Sequence, residues 1–189
     1  MWTCTIRWLR TRREPLPAGQ FTYCRRGKVL VIGFTVFMAA ESLITHGVLL
    51  AIFGPALWTW VLLAFGLYSA AWIFGRYYAC MVVRPHAVTA DAVLLYCGNI
   101  GELIIPREAV LSARRTRHGQ IGGLGKLVVE KSKPAAEARF SNGSCTVAIE
   151  LDPGAPLTFN GKPVTTPIST LYINADDPDG LIAALSEAR

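Results

Sequence analysis

Charged side chains are scarce in this chain, at 17% of its 189 residues, while 52% of the residues are hydrophobic. An ordinary soluble domain carries more charge and less apolar surface. The shortage is local: the run 56–75, ALWTWVLLAFGLYSAAWIFG, has no charge, and the run 29–53, VLVIGFTVFMAAESLITHGVLLAIF, has one acid and one histidine. Catalytic motifs are also missing. There is no HExxH, no GxSxG, no GxGxxG between a strand and a helix, and the three histidines, His46, His86 and His118, stand in unrelated settings. The five cysteines are odd in number, scattered and without a CxxC pair, which excludes a disulfide framework and fits reduced, structural thiols. These absences leave no support for an enzyme, a metal centre or a cofactor.

What is present is a pair of apolar runs, each near the ~20 residues that cross ~30 Å of hydrocarbon as a helix. Only Gly54 and Pro55 separate them, so the expectation is an antiparallel membrane hairpin with spans 29–53 and 56–75 inside a segment 29–78. A basic arm, residues 1–28, precedes it with seven Lys or Arg against one acid, and Arg76 and Arg84 follow the second run. Lys and Arg gather on the cytoplasmic side. Both termini are therefore expected in the cytoplasm and the chain in the cell's inner membrane. A cleaved or twin-arginine leader, hinted at by TRREPL at 11–16, is set aside because the apolar run starts late, is long and has a second span behind it. From Arg76 onward, 12 basic residues nearly balance 11 acids, so the net charge of +6 belongs to the arm and argues for anionic lipid, not nucleic acid. Trp2 and Trp8 with Ile6 and Leu9 let the arm lie on the membrane. Trp58 and Trp60 mark the outer interface, and Tyr77 and Tyr78 the inner one.

After Val83 the pattern shortens into strand-length runs: 86–90, 92–96, 102–106, 109–115, 126–131, 146–151 and 169–175. KSKPAAEARFSNGS at 131–144 reads as a long loop or a concealed element. In ADDPDGLIAALSEAR, Asp177 is the N-cap and Pro178 the first position of a helix over 178–188. The expected fold is a membrane α-hairpin plus a cytoplasmic antiparallel β domain, residues 79–189, of seven strands and a C-terminal helix.

RPHAVTADAVLLYCG, IPREAVLSARR, LDPGAP and LYINADDPDGLIAAL, placed after a two-helix hairpin, resemble the bacterial membrane-anchored proteins with a pleckstrin-homology (PH)-like domain, over about residues 29–189. The resemblance implies a PH-like sandwich or barrel acting as a membrane-tethered, non-enzymatic interaction or scaffolding module, with a protein, a lipid headgroup or further copies of itself as partner.

Two constellations are candidate sites. Arg114, Arg115, Arg117 and Lys126 flank the glycine-rich HGQIGGLGK at 118–126. The P-loop spacing fails there, with Gln120 in place of the first glycine and Leu127 in place of Ser or Thr, which leaves contact with anionic headgroups. The second is Glu41 and His46. Glu41 falls mid-span, the costliest depth for an acid, and hairpin depth matching sets it level with Tyr68 and Ser69. An interhelical hydrogen bond from Glu41 to one of these is expected. The alternative is a transport, sensing or immunity-type role for Glu41 and His46, which needs more than one copy because two helices enclose no path.

Overall fold

The structure, a computed structural model, describes residues 2–11, 16–119, 126–130, 136–141 and 144–187. The arginine pair at 12 and 13, most of the glycine-rich loop and part of the SNGS turn lie outside them. The chain opens with helix α1 (Trp2–Thr11), a two-residue strand β1 (Gln20–Phe21) and the long helix α2 (Arg25–Phe53). Gly54, at φ 70°, closes α2 in a left-handed conformation open to glycine. The return helix begins as α3 (Leu57–Ile73), passes through a π-helical turn (Phe74–Ala79) and ends as α4 (Cys80–Val83). Two helices long and apolar enough to cross a membrane are therefore present, Lys28–Phe53 and Leu57–Val83. The core helix of a soluble protein hides its apolar residues inside the chain. Here only 6% and 11% of the two apolar windows are buried.

The return helix runs eight residues past the expected end at Gly75. YYACMVV continues the apolar pattern through Arg76, and the stop comes from Pro85, which forces Arg84 out of helical geometry (φ −121°, ψ 71°). The arm docks on the return helix: Trp8 of α1 sits edge-on to Phe74 and Tyr78, with ring centroids 5.1 and 6.0 Å apart. Tyr78 is thereby buried, not an interfacial anchor.

The remaining strands are β2 (His86–Val88), β3 (Ala92–Cys97), β4 (Gly101–Pro106), β5 (Val110–His118), β6 (Val128–Glu130), β7 (Ala136–Phe140), β8 (Cys145–Leu151), β9 (Thr158–Phe159), β10 (Lys162–Pro163) and β11 (Ile168–Ile173), followed by α5 (Pro178–Glu187). One sheet has the order β1-β2-β3-β4-β9-β10 and the other β5-β8-β11-β7-β6. Alternation puts Val93, Leu95, Leu103 and Ile105 of the first sheet and Phe140, Ile149, Leu171 and Ile173 of the second into one core, closed by Leu181 and Leu185 of α5.

The expected count of seven strands in 79–189 is corrected to ten among the described residues, with β1 of the arm added as an eleventh. β1, β9 and β10 are two residues each, too short for periodicity to show. β9 and β10 join through Asn160 and Gly161, both at positive φ (50° and 75°), the requirement of a two-residue hairpin turn. β7 is the element concealed within 131–144, its core face made of Ala136, Ala138 and Phe140. Nor is the domain wholly antiparallel, because β7 runs parallel to β11.

A polar knot sits inside this apolar frame. His86 is buried; its Nδ1 accepts the Tyr96 N–H at 3.1 Å, which leaves Nε2–H to donate to the Asn174 carbonyl at 3.0 Å. Tyr23 stacks on the imidazole with centroids 4.3 Å apart, and its hydroxyl accepts the Gly98 N–H at 2.7 Å. Burial pushes the imidazole down to about 4 against an ordinary 6.5, with the Asn174 hydrogen bond opposing. The unfolded chain therefore binds a proton between those values that the folded chain refuses. Stability is complete above about pH 6.5 and falls as pH drops toward 4, by on the order of 3 kcal/mol from this residue alone. Denaturant midpoints of the full chain in detergent, measured from pH 7 to 4, should show that decline, and His86→Gln should lower the plateau and flatten the slope.

Candidate functional site

The chain's start and end meet beneath the first turn of α2. Asn174 Nδ2 donates to the Tyr23 carbonyl at 3.1 Å, and the Asp176 N–H donates to the Thr22 carbonyl at 2.8 Å. The Asp176 carboxylate then accepts the Cys24 N–H at 3.0 Å on Oδ2, while the Arg25 N–H points between both oxygens at 3.0 and 3.1 Å. These are amides with no partner inside the helix, and the negative charge faces the positive end of the α2 dipole. Burial and Asp176 together push the adjacent Cys24 thiol up to about 11, which leaves it a poor nucleophile.

Strand register brings basic residues to the same end. Arg115 pairs with Val147, Val147 with Ile173, and Ile173 with Phe140, so these residues share one level, a few residues below Asp176. Thr146 locks that level by donating to the Ala175 carbonyl at 3.0 Å and accepting its N–H at 2.9 Å. Between β5 and the start of α2 lies a cleft of about 320 Å³, lined chiefly by Arg25, Arg115, Arg117, Thr146 and Asp176. The α5 N-terminus borders it through Pro178, with Asp177 Oδ1 capping the Gly180 N–H at 3.0 Å.

The electrostatics favour an anion. Three arginines and one aspartate line the cleft, and both Asp176 oxygens already accept backbone N–H groups. Arg115 also reaches Asp179 at 3.1 Å, but both side chains are well exposed, so that pair is weak and exchangeable. Arg117 carries no ion pair among the described residues.

Of the four basic residues singled out in the sequence, the cleft gathers Arg115 and Arg117. Arg114 projects to the other side of β5, with Nε 3.7 Å from Glu150, and Lys126 does not line the cleft. Arg25, Thr146 and Asp176 were not legible as members: Arg25 read as a topology charge and Asp176 as part of a helix start. Among the described residues no three His, Cys, Asp or Glu side chains gather as a metal-binding set.

The hairpin holds the second constellation. Gly66 lets α3 approach Ser42 so closely that a Cβ there would overlap the Ser42 hydroxyl. His46 is buried four residues on, its Nδ1 3.1 Å from the Thr59 carbonyl and its ring 4.6 Å from that of Trp60. Among the described residues its Nε2 is buried without a hydrogen-bond partner. Among the described residues the expected bridge from Glu41 to Ser69 is not made, and the Ser69 hydroxyl donates to the Phe65 carbonyl in its own helix at 2.8 Å. Tyr68 is half exposed on the outer surface, and Glu41 is exposed as well. Glu41 instead shares with Ser42, Thr45 and His46 a groove of about 190 Å³ against Leu62 and Leu63.

The Asp176 contact has a measurable consequence. Asp176→Ala should loosen the first turn of α2 by about 1–2 kcal/mol, the usual cost of losing a helix cap. Hydrogen exchange at the Cys24 and Arg25 amides should accelerate roughly tenfold or more, while Asp176→Asn keeps most of the protection. Comparison with known family models, curated proteins and solved structures finds no match, so the geometry described above carries the functional reading.

Proposed function

We propose that the chain is a membrane-tethered, non-enzymatic interaction module of the inner membrane. In this reading the hairpin spans the bilayer, both termini are cytoplasmic, and the β domain, of PH-like type, holds anionic lipid headgroups at its membrane-facing end. The observation that carries it is the cleft of Arg25, Arg115 and Arg117 beside the first turn of α2, where a helix leaving hydrocarbon meets the headgroup layer. Guanidinium forks suit phosphate oxygens, and the α5 N-terminus adds a favourable dipole. The sparse burial of both apolar helices supports the membrane setting. The two sheets closed by a terminal helix support the PH-like assignment, with the parallel β7–β11 pair as a local departure. A protein partner remains compatible with the same tether.

A second reading rests on the groove shared by Glu41 and His46: movement or binding of a proton or cation within the membrane. It would be carried by those two side chains and be indifferent to the cleft.

Lipid retention by the full chain, purified in mild detergent and measured by native mass spectrometry, separates these ideas. The protein should retain phosphatidylglycerol over phosphatidylcholine, and Arg115→Gln with Arg117→Gln together should cut that preference about thirtyfold, since each exposed basic contact is worth roughly 1 kcal/mol. Equal retention of both lipids by the native chain would sink the headgroup reading.

A further inference from the structure

Glu41 is the exposed acid on the surface of an otherwise apolar helix. It lies 13 residues from Lys28 and 12 from Phe53, the ends of that helix's membrane-length stretch, hence about 18–20 Å from either at 1.5 Å per residue. The face of α2 that meets α3 is marked by the half-buried or buried Thr35, Met38, Ser42, His46 and Leu49. Glu41 sits beside that face, not within it. Its neighbours one and two turns away on the outside, Phe34, Phe37, Ile44 and Val48, are all exposed. Among the described residues no hydrogen bond or ion pair engages its carboxyl.

Hydrocarbon offers that group nothing. A polar side chain at such depth drives helix association, because a neighbouring helix supplies the hydrogen bond that lipid cannot. We propose that this face of α2 binds a second copy of the chain, the two α2 helices packing about a two-fold axis along the membrane normal with their Glu41 carboxyl groups joined at the contact.

The choice of partner follows from depth and chemistry. Copies inserted in the same sense carry Glu41 at the same level, so a two-fold axis brings the two carboxyl groups together with no further adjustment. A pair of protonated carboxyl groups is self-complementary, each O–H donating to the other's carbonyl oxygen. Phe37, Ile44 and Val48 then pack against their equivalents above and below. The contact also covers the mouth of the groove that Glu41 and His46 line. A different protein would have to bring its own polar group to this depth; a second copy does so by construction.

The inference rests on the hairpin spanning a bilayer and is independent of the basic cleft. Sedimentation equilibrium of the full chain in density-matched micelles reads it directly against a monomer of 20.6 kDa. The native chain and Glu41→Gln, whose amide also pairs with itself, should sediment as dimers. Glu41→Leu should raise the dissociation constant at least tenfold. Should packing around Glu41→Leu alter the fold, Val48→Trp on the same face should weaken the dimer while Val36→Trp, on the opposite exposed side, leaves it intact. A native chain that stays monomeric at every concentration overturns the proposal, as does a Glu41→Leu variant that dimerises like the native chain or a dimer broken by Val36→Trp alone. Alkaline carbonate extraction of cell membranes, run alongside, keeps the two failures apart. Release of the chain into the soluble fraction would overturn the membrane reading itself.

Discussion

The Asp176 carboxylate at the N-terminus of α2 is the contact on which the molecule's arrangement depends. A helix whose surface is almost wholly apolar has little means of gripping a β domain laterally, so the grip comes at its end, where unpaired amides and the helix dipole offer directional polar contacts. Behind Asp176 the connection is continuous. Asn174 holds the Tyr23 carbonyl, His86 holds the Asn174 carbonyl, and Tyr23 lies flat on His86. Each group in this chain is buried or half-buried, so each lost partner would strand another polar atom in an apolar setting. The segment just before α2 thus belongs structurally to the sheets that follow the hairpin, and β1 completes the edge of the first sheet by pairing with β2.

The same junction fixes the electrostatics. Asp176 is drawn to the helix end, and its charge is largely spent on two amides. The arginines that converge beside it retain their capacity for an external anion. On β5 they also serve the sheet itself: an edge strand presents unpaired backbone groups, and charged side chains there discourage strand addition by other chains.

Within the hairpin, shape and polarity act together. The close approach of Gly66 to Ser42 lets α3 contact α2 near mid-length, and His46 to Thr59 and Trp60 completes the pairing toward the turn. These contacts use the polar residues of one face and leave Glu41 beyond them, since adjacent residues on a helix point about 100° apart. Helix geometry, not burial preference, decides that the acid faces outward.

Some of this was determined by sequence alone. Uncharged length set the two helices, Gly54 and Pro55 the hairpin turn, and Asp177 with Pro178 the start of α5, because local chemistry and chain stiffness suffice for such features. β2, β3, β4, β5, β6, β8 and β11 were legible for the same reason, as short runs within one segment, whereas β7 was not. Tertiary structure alone decided the rest. The parallel pairing of β7 with β11 and the two-residue strands derive their stability from neighbours distant in sequence. The cleft joins Arg25 to Arg115, Arg117 and Asp176, positions separated by about ninety and a hundred and fifty residues. No local pattern encodes that meeting. It arises because strand register and the capped end of α2 place those side chains at one level.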